Sequence, residues 1–168
     1  MGRQAPEAGQ ARRRITLERV YDAGVEELWE LWTTRDGIES FWAPEGFRVE
    51  VRRLDLRTGG ELAYAMTAFA PDQVEFLKKA GMPLTSEHRL NYLEVSPPRR
   101  LVYKNLADFI PGVRPYEVTT TLELLQVGEG SQLVLTFDAM HDERWTKLAL
   151  MGHESELEKL GRLLKAGR

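Results

Sequence analysis

The chain has 168 residues, 42% apolar and 29% charged, with a formal net charge of -3 and no cysteine. That length can bury a core, while the acidic excess argues against the basic face that phosphate backbones require. Without cysteine there are no disulfides, thiolate zinc sites or cysteine nucleophiles, and no apolar run approaches the ~20 residues that span a bilayer.

Residues 1–13, rich in Gly, Ala, Gln and Arg, read as a loose tail ahead of a single domain over 14–168. Arg12-Arg13-Arg14 reads as a solvated tail end. The N-terminus lacks the apolar stretch of a secretory signal, and Pro6 stands where a myristoylation signal needs Ser or Thr. A cytoplasmic location is the expectation.

Arg14 to Tyr21 alternates as a first strand, with Ile15, Leu17 and Tyr21 on one face. Gly24 to Trp32 shifts to helical spacing, and Thr34 can cap a second short helix through Phe41. Pro44 and Gly46 end that segment. Phe47, Val49 and Val51 then alternate with Arg48, Glu50 and Arg52, and Leu62, Tyr64 and Met66 return after the Gly59-Gly60 turn. Both glycines can take positive φ.

Ala70 to Gly81 reads as an inserted short helix, with Asp72-Gln73-Val74-Glu75 in the form of a capping box and Gly81 at its C-terminus. Strands resume over Glu87 to Val95 and, after Pro97-Pro98, over Arg100 to Leu106. Tyr116 to Leu125 and Gln132 to Ala139 form a last hairpin. From Asp142 onward, Trp145, Ala149, His153, Leu157, Leu160 and Leu164 recur at spacings of three and four along one face of a long helix.

The expected fold class is therefore α+β: a curved antiparallel sheet of six to seven strands wrapped round a long C-terminal helix. Two short helices follow the first strand, and a third is inserted near 71–81. A twisted sheet curling round one helix leaves a gap that short helices and loops only partly plug, so an internal cavity is expected. A closed, dry cavity below ~300 Å³ would speak against a ligand there.

This arrangement resembles the helix-grip fold of the START-like, or SRPBCC, superfamily, and within it the activator of heat-shock protein 90 ATPase homologue branch. The resemblance covers residues 14 to 165. It is carried by Arg19-Val20-Tyr21-Asp22-Ala23 with Leu28-Trp29, by Trp42, Pro44, Gly46 and Phe47, and by Asp55, Arg57, Gly59 and Gly60. A fourth match is Glu94, Pro97, Pro98, Arg100, Leu101, Val102 and Tyr103. Gly24 replaces a proline common in the family, His153 follows Gly152 where Gly-Trp is common, and the insertion at 71–81 is longer than in the simplest members. The last two departures fall where the resemblance would place a cavity.

The residues offer few signs of chemistry. No Gly-x-Ser-x-Gly element is present, His88, His141 and His153 show no metal-ligand spacing, and nothing after Gly59-Gly60 begins a phosphate-binding helix. Neither a metal nor a cofactor is expected. Asp55 and Arg57 read as a local pair. Asp108, Asp138 and Asp142 can serve as acid or base, or as caps and turn residues. His153 has two readings: a core histidine bonded to a strand side chain, or a polar group projecting into the cavity to orient a ligand.

The remaining candidates for the cavity wall are Trp32, Phe41, Tyr64, Met66, Tyr92, Tyr103, Asn105, Phe109, His141, Trp145, Ala149 and Met151, with Phe76 and Leu77 as gate residues. Trp42, Pro44, Asp55, Gly59 and Gly60 read as scaffold. The resemblance implies binding of a small hydrophobic molecule without catalysis, and it is compatible with a homodimer. It also implies two alternatives: a stress-related co-chaperone-like protein stimulating a chaperone ATPase, and an enzyme of the polyketide cyclase kind. Neither nucleic acid nor membrane is an expected partner.

Overall fold

Period-two alternation of apolar and polar residues builds the sheet, and the switch to a spacing of three and four builds the helix that it holds. The computed structural model describes residues 13–108 and 110–166, so the tail expected over 1–13 and the candidate Phe109 lie outside the described residues, apart from Arg13. The elements in order are β1 (Arg14–Tyr21), α1 (Val25–Thr33), α2 (Arg35–Phe41), β2 (Phe47–Leu54), β3 (Glu61–Ala68) and α3 (Pro71–Lys79). They continue with β4 (Thr85–Ser96), β5 (Arg100–Ala107), β6 (Tyr116–Val127), β7 (Gly130–Asp138) and α4 (Glu143–Ala166).

The strands form one seven-stranded sheet in the order β1-β7-β6-β5-β4-β3-β2, antiparallel throughout. β1 pairs with β7, so both chain-terminal strands close one side while β2 forms the opposite edge. The pairing slips between Val51 and Arg53 in β2 and between Tyr92 and Glu94 in β4. Such bulges add local twist, which helps the sheet curl toward α4.

α1 and α2 pack on each other, with α2 also against β2 and α4 and α1 against β6. Thr34 accepts a hydrogen bond from Gly37 N at 3.1 Å and so caps α2. In α3 the expected capping box is not used: Ala70 is the N-cap, no side chain bonds there, and Pro71 opens the helix. Proline suits that position because the first helical N–H needs no partner. Gly81, at φ +71°, follows the C-terminus of α3.

In the β2–β3 turn only Gly59 has a positive φ, +85°. Gly60 is required for a different reason: a Cβ there would stand 2.0 Å from the Asp55 carbonyl oxygen. Arg57 Nε lies 3.1 Å from Asp55 Oδ2, a local pair across the same turn. Among the described residues no helix is long and apolar enough to cross a membrane.

Candidate functional site

A cavity of about 270 Å³, open to solvent along one side, lies between the sheet and the first half of α4. Strand alternation aims every second residue at it: Tyr64 and Met66 from β3, His88 and Leu90 from β4, and Tyr103, Asn105 and Ala107 from β5. Val118, Thr120 and Phe137 complete the sheet side. From α4 come Trp145, Leu148, Ala149, Gly152, His153 and Glu156, one helical stripe that spans about 16 Å at 1.5 Å per residue. Trp42 and Pro44, after α2, and Met140, before α4, line the two ends.

The two ends differ chemically. Ala107, Val118 and Met140 make one end apolar, next to the first turns of α4. At the other end the Trp42 ring centroid lies 6.3 Å from that of Tyr64 and 5.8 Å from that of Tyr103. The α4 turn carrying Glu156 is fastened there: Glu45 N donates to Ser155 Oγ at 2.9 Å, and Lys159 Nζ donates to the Ala43 carbonyl at 2.9 Å. Ala43 holds φ at +105°, a value unusual for a residue with a side chain, and it is buried.

Burial pushes the Tyr64 hydroxyl up to about 12; a hydrogen bond with Trp42 counteracts this and the Glu156 carboxylate adds to it. Burial raises Tyr103 well above the usual phenol range, helped by Glu156, Tyr64 and Tyr92 and opposed by a hydrogen bond with Thr120. Both phenols therefore stay protonated at neutral pH. His88 is held below its ordinary value by desolvation, against the opposing pull of Asp108 and Glu87. Its Nε2 lies 2.6 Å from Ser86 Oγ, and its ring stacks on Tyr64 at 5.3 Å.

Among the described residues His153 makes no hydrogen bond to a strand side chain. Its ring lies 4.5 Å from that of Phe137, and its Nδ1 is 3.4 Å from Glu156 Oε2 on its own helix. The imidazole therefore stands at the cavity wall with a carboxylate beside it.

Of the other candidates, Tyr64, Met66, Tyr103, Asn105, Trp145 and Ala149 also line the cavity. Trp32, Phe41 and Tyr92 do not. Trp32 and Phe41 back Trp42 in a cluster of edge-on rings 5.0–6.0 Å apart, fully inside the core. Tyr92 lies one strand step past Leu90, where its peptide group bonds Gly59 and Gly60 at 2.8 and 3.0 Å. His141 is held behind the apolar end, with Nδ1 2.8 Å from the Tyr116 hydroxyl.

Neither Phe76 nor Leu77 lines the cavity; Phe76 is 39% exposed and Leu77 is buried. Met151 points away from the wall, at 55% exposure. Asp142 caps α4 through the Trp145 N–H at 2.8 Å, and Asp138 accepts from Thr119 N at 3.0 Å, so both serve the framework. Asp108 is not part of the lining either. Among the described residues no group of three His, Asp or Glu side chains could hold a metal ion.

Sequence reasoning missed Glu156 and set Trp42 and Pro44 aside as scaffold. Glu156 was open to detection: it falls three residues after His153 and seven after Ala149, a carboxylate on the apolar stripe itself.

The sequence matches the family described as Activator of Hsp90 ATPase homolog 1-like protein over residues 22–165. No curated protein matches it significantly. Among solved structures, a protein from Chromobacterium violaceum is similar with a TM-score of 0.69 and 23% identity, covering 90% of this chain and 96% of that one. The AHSA1 protein from Silicibacter pomeroyi gives 0.72 at 19% identity, over 93% and 100% of the two chains. An AHSA1-like protein from Aeromonas hydrophila gives 0.68 at 19% identity, over 92% and 94%. At these identities the likeness establishes a shared fold.

Proposed function

Since the chain belongs to the Activator of Hsp90 ATPase homolog 1-like family, within the START-like helix-grip superfamily, we propose that it binds a small, mainly apolar molecule between its sheet and α4. The observation that carries this reading is the stripe of Trp145, Ala149 and His153 facing Phe137 and the strands across open space. Desolvation supplies the affinity, at roughly 25 cal/mol per Å² of apolar area covered. The volume, about 270 Å³, lies just under the ~300 Å³ where drug-sized sites begin, so the fitting ligand is a ring or short chain. The open side gives it a route in.

Native mass spectrometry of the protein purified from its own host, together with uptake of a neutral apolar dye no larger than a substituted naphthalene, such as Prodan, tests the reading. The expected outcome is a retained small molecule or saturable dye binding by the wild type, lost in Ala149→Phe, whose ring obstructs the middle of the cavity. Absence of both retained mass and dye uptake in the wild type, or unchanged dye uptake in Ala149→Phe, rejects it.

A further inference from the structure

The charge of the cavity wall goes further and names the class of ligand, resting on the reading that the cavity holds a small apolar molecule. Among the described residues Glu156 is the only carboxylate that lines it, and no lysine or arginine does. Lys159, one turn on in α4, feels the Glu156 charge but directs its ammonium onto the Ala43 carbonyl at 2.9 Å. The facing groups on the sheet are Tyr64, Tyr103 and His88, with Asn105 and Thr120 beside them, none of which is a permanent cation. His153, 3.4 Å from the carboxylate, offers a positive charge only when protonated. The polar end therefore presents a carboxylate with aromatic rings beside it.

The rings share that end with the carboxylate. Trp42, Tyr64 and Tyr103 form one wall, and the hydrogen bonds of Ser155 and Lys159 to the 43–45 segment bring the Glu156 turn against it. Ring faces attract cations, and a carboxylate forms a charge-assisted hydrogen bond with an ammonium N–H. An anion placed there would meet the Glu156 carboxylate, while the ammonium of Lys159 is engaged by the Ala43 carbonyl. The opposite end, at Met140 and Val118, suits an apolar body.

We propose that the ligand is an organic ammonium carrying one ring or a short chain. The cationic nitrogen sits at Glu156 against the aromatic wall, and the apolar body extends along α4 toward Met140.

The test uses the full chain at pH 8 and three probes sharing one skeleton: phenylbutylamine, phenylbutanol and phenylbutyrate. Isothermal titration is expected to give at least about tenfold tighter binding for the amine than for the alcohol, from one charge-assisted contact, with the carboxylate weakest. Glu156→Gln should bring amine and alcohol within about threefold of each other, by weakening the amine more than the alcohol. The probe order in the wild type decides the matter even if that variant fails to fold. An alcohol that binds as tightly as the amine, or a carboxylate that binds tighter, overturns the cation assignment and leaves the cavity reading standing. If none of the three binds and dye uptake also fails, both fall together.

Discussion

α4 carries one apolar stripe from end to end, yet its two halves meet different surroundings. In the second half Leu157, Leu160 and Leu164 are buried in the continuous core that also holds Leu28, Trp32, Ile38 and Phe41 of α1 and α2. In the first half Trp145, Ala149 and His153 face the cavity, where among the described residues no helix lines the space between α4 and the sheet. The α1–α2 pair plugs one half of the grip and leaves the other open. Identical helical spacing thus yields a filled core in one half and a cavity wall in the other. Dense packing tolerates little change in volume, whereas a cavity accepts it.

The contrast predicts graded effects. Leu160→Ala, in the filled half, should cost about 2–5 kcal/mol in urea denaturation, because a fully buried side chain leaves a void that neighbours fill only in part. Ala43→Val, at the border of the two halves, should cost about 1–3 kcal/mol, since a β-branched residue is strained at φ +105°. Ala149→Phe should cost less than the ~1–3 kcal/mol of overpacking in a filled core, while removing dye uptake. A loss for Ala149→Phe equal to that for Leu160→Ala would erase the distinction.

The smallest expected effect concerns pH. The three buried leucines of the filled half cannot titrate, whereas His88 lies on the cavity wall with its folded pKa below its unfolded value of 6.5. Such a group contributes fully above 6.5, and its contribution is lost as pH falls from 6.5 through the lower folded value, where the unfolded chain binds the proton more readily. Thermal melts between pH 8 and pH 5 should therefore show a downward step that His88→Gln diminishes. An identical acid profile in the variant would assign the step to other groups.

Much of the framework was legible in local chemistry. Thr34 could be recognised as a cap because its hydroxyl precedes a helical run, and Gly81 as a C-terminal turn because it closes one. The Asp72–Glu75 pattern misled because α3 opens at Pro71, two residues before an Asp72 cap would start it, and a capping box is only one way to begin a helix. At the site, the strand residues Tyr64, Met66, Tyr103 and Asn105 could be picked by alternation, which gives the face. Alternation does not give the depth along the strand, so Tyr92, on the same side as Leu90 but one step farther, was placed on the wall and stands in the core instead. Trp32 and Phe41 failed for a related reason: helical spacing marks an apolar side but not whether the space opposite it is filled.

The sequence by itself determined the periodicities, the turns and the four motifs that place this chain in its family. All of these act through neighbours a few residues apart. Only the tertiary structure decided that Trp42, Phe137 and Glu156 meet round one cavity and that α2 closes the core beside it. A cavity is a mismatch between two surfaces distant in the chain, and no local pattern records the volume left between them.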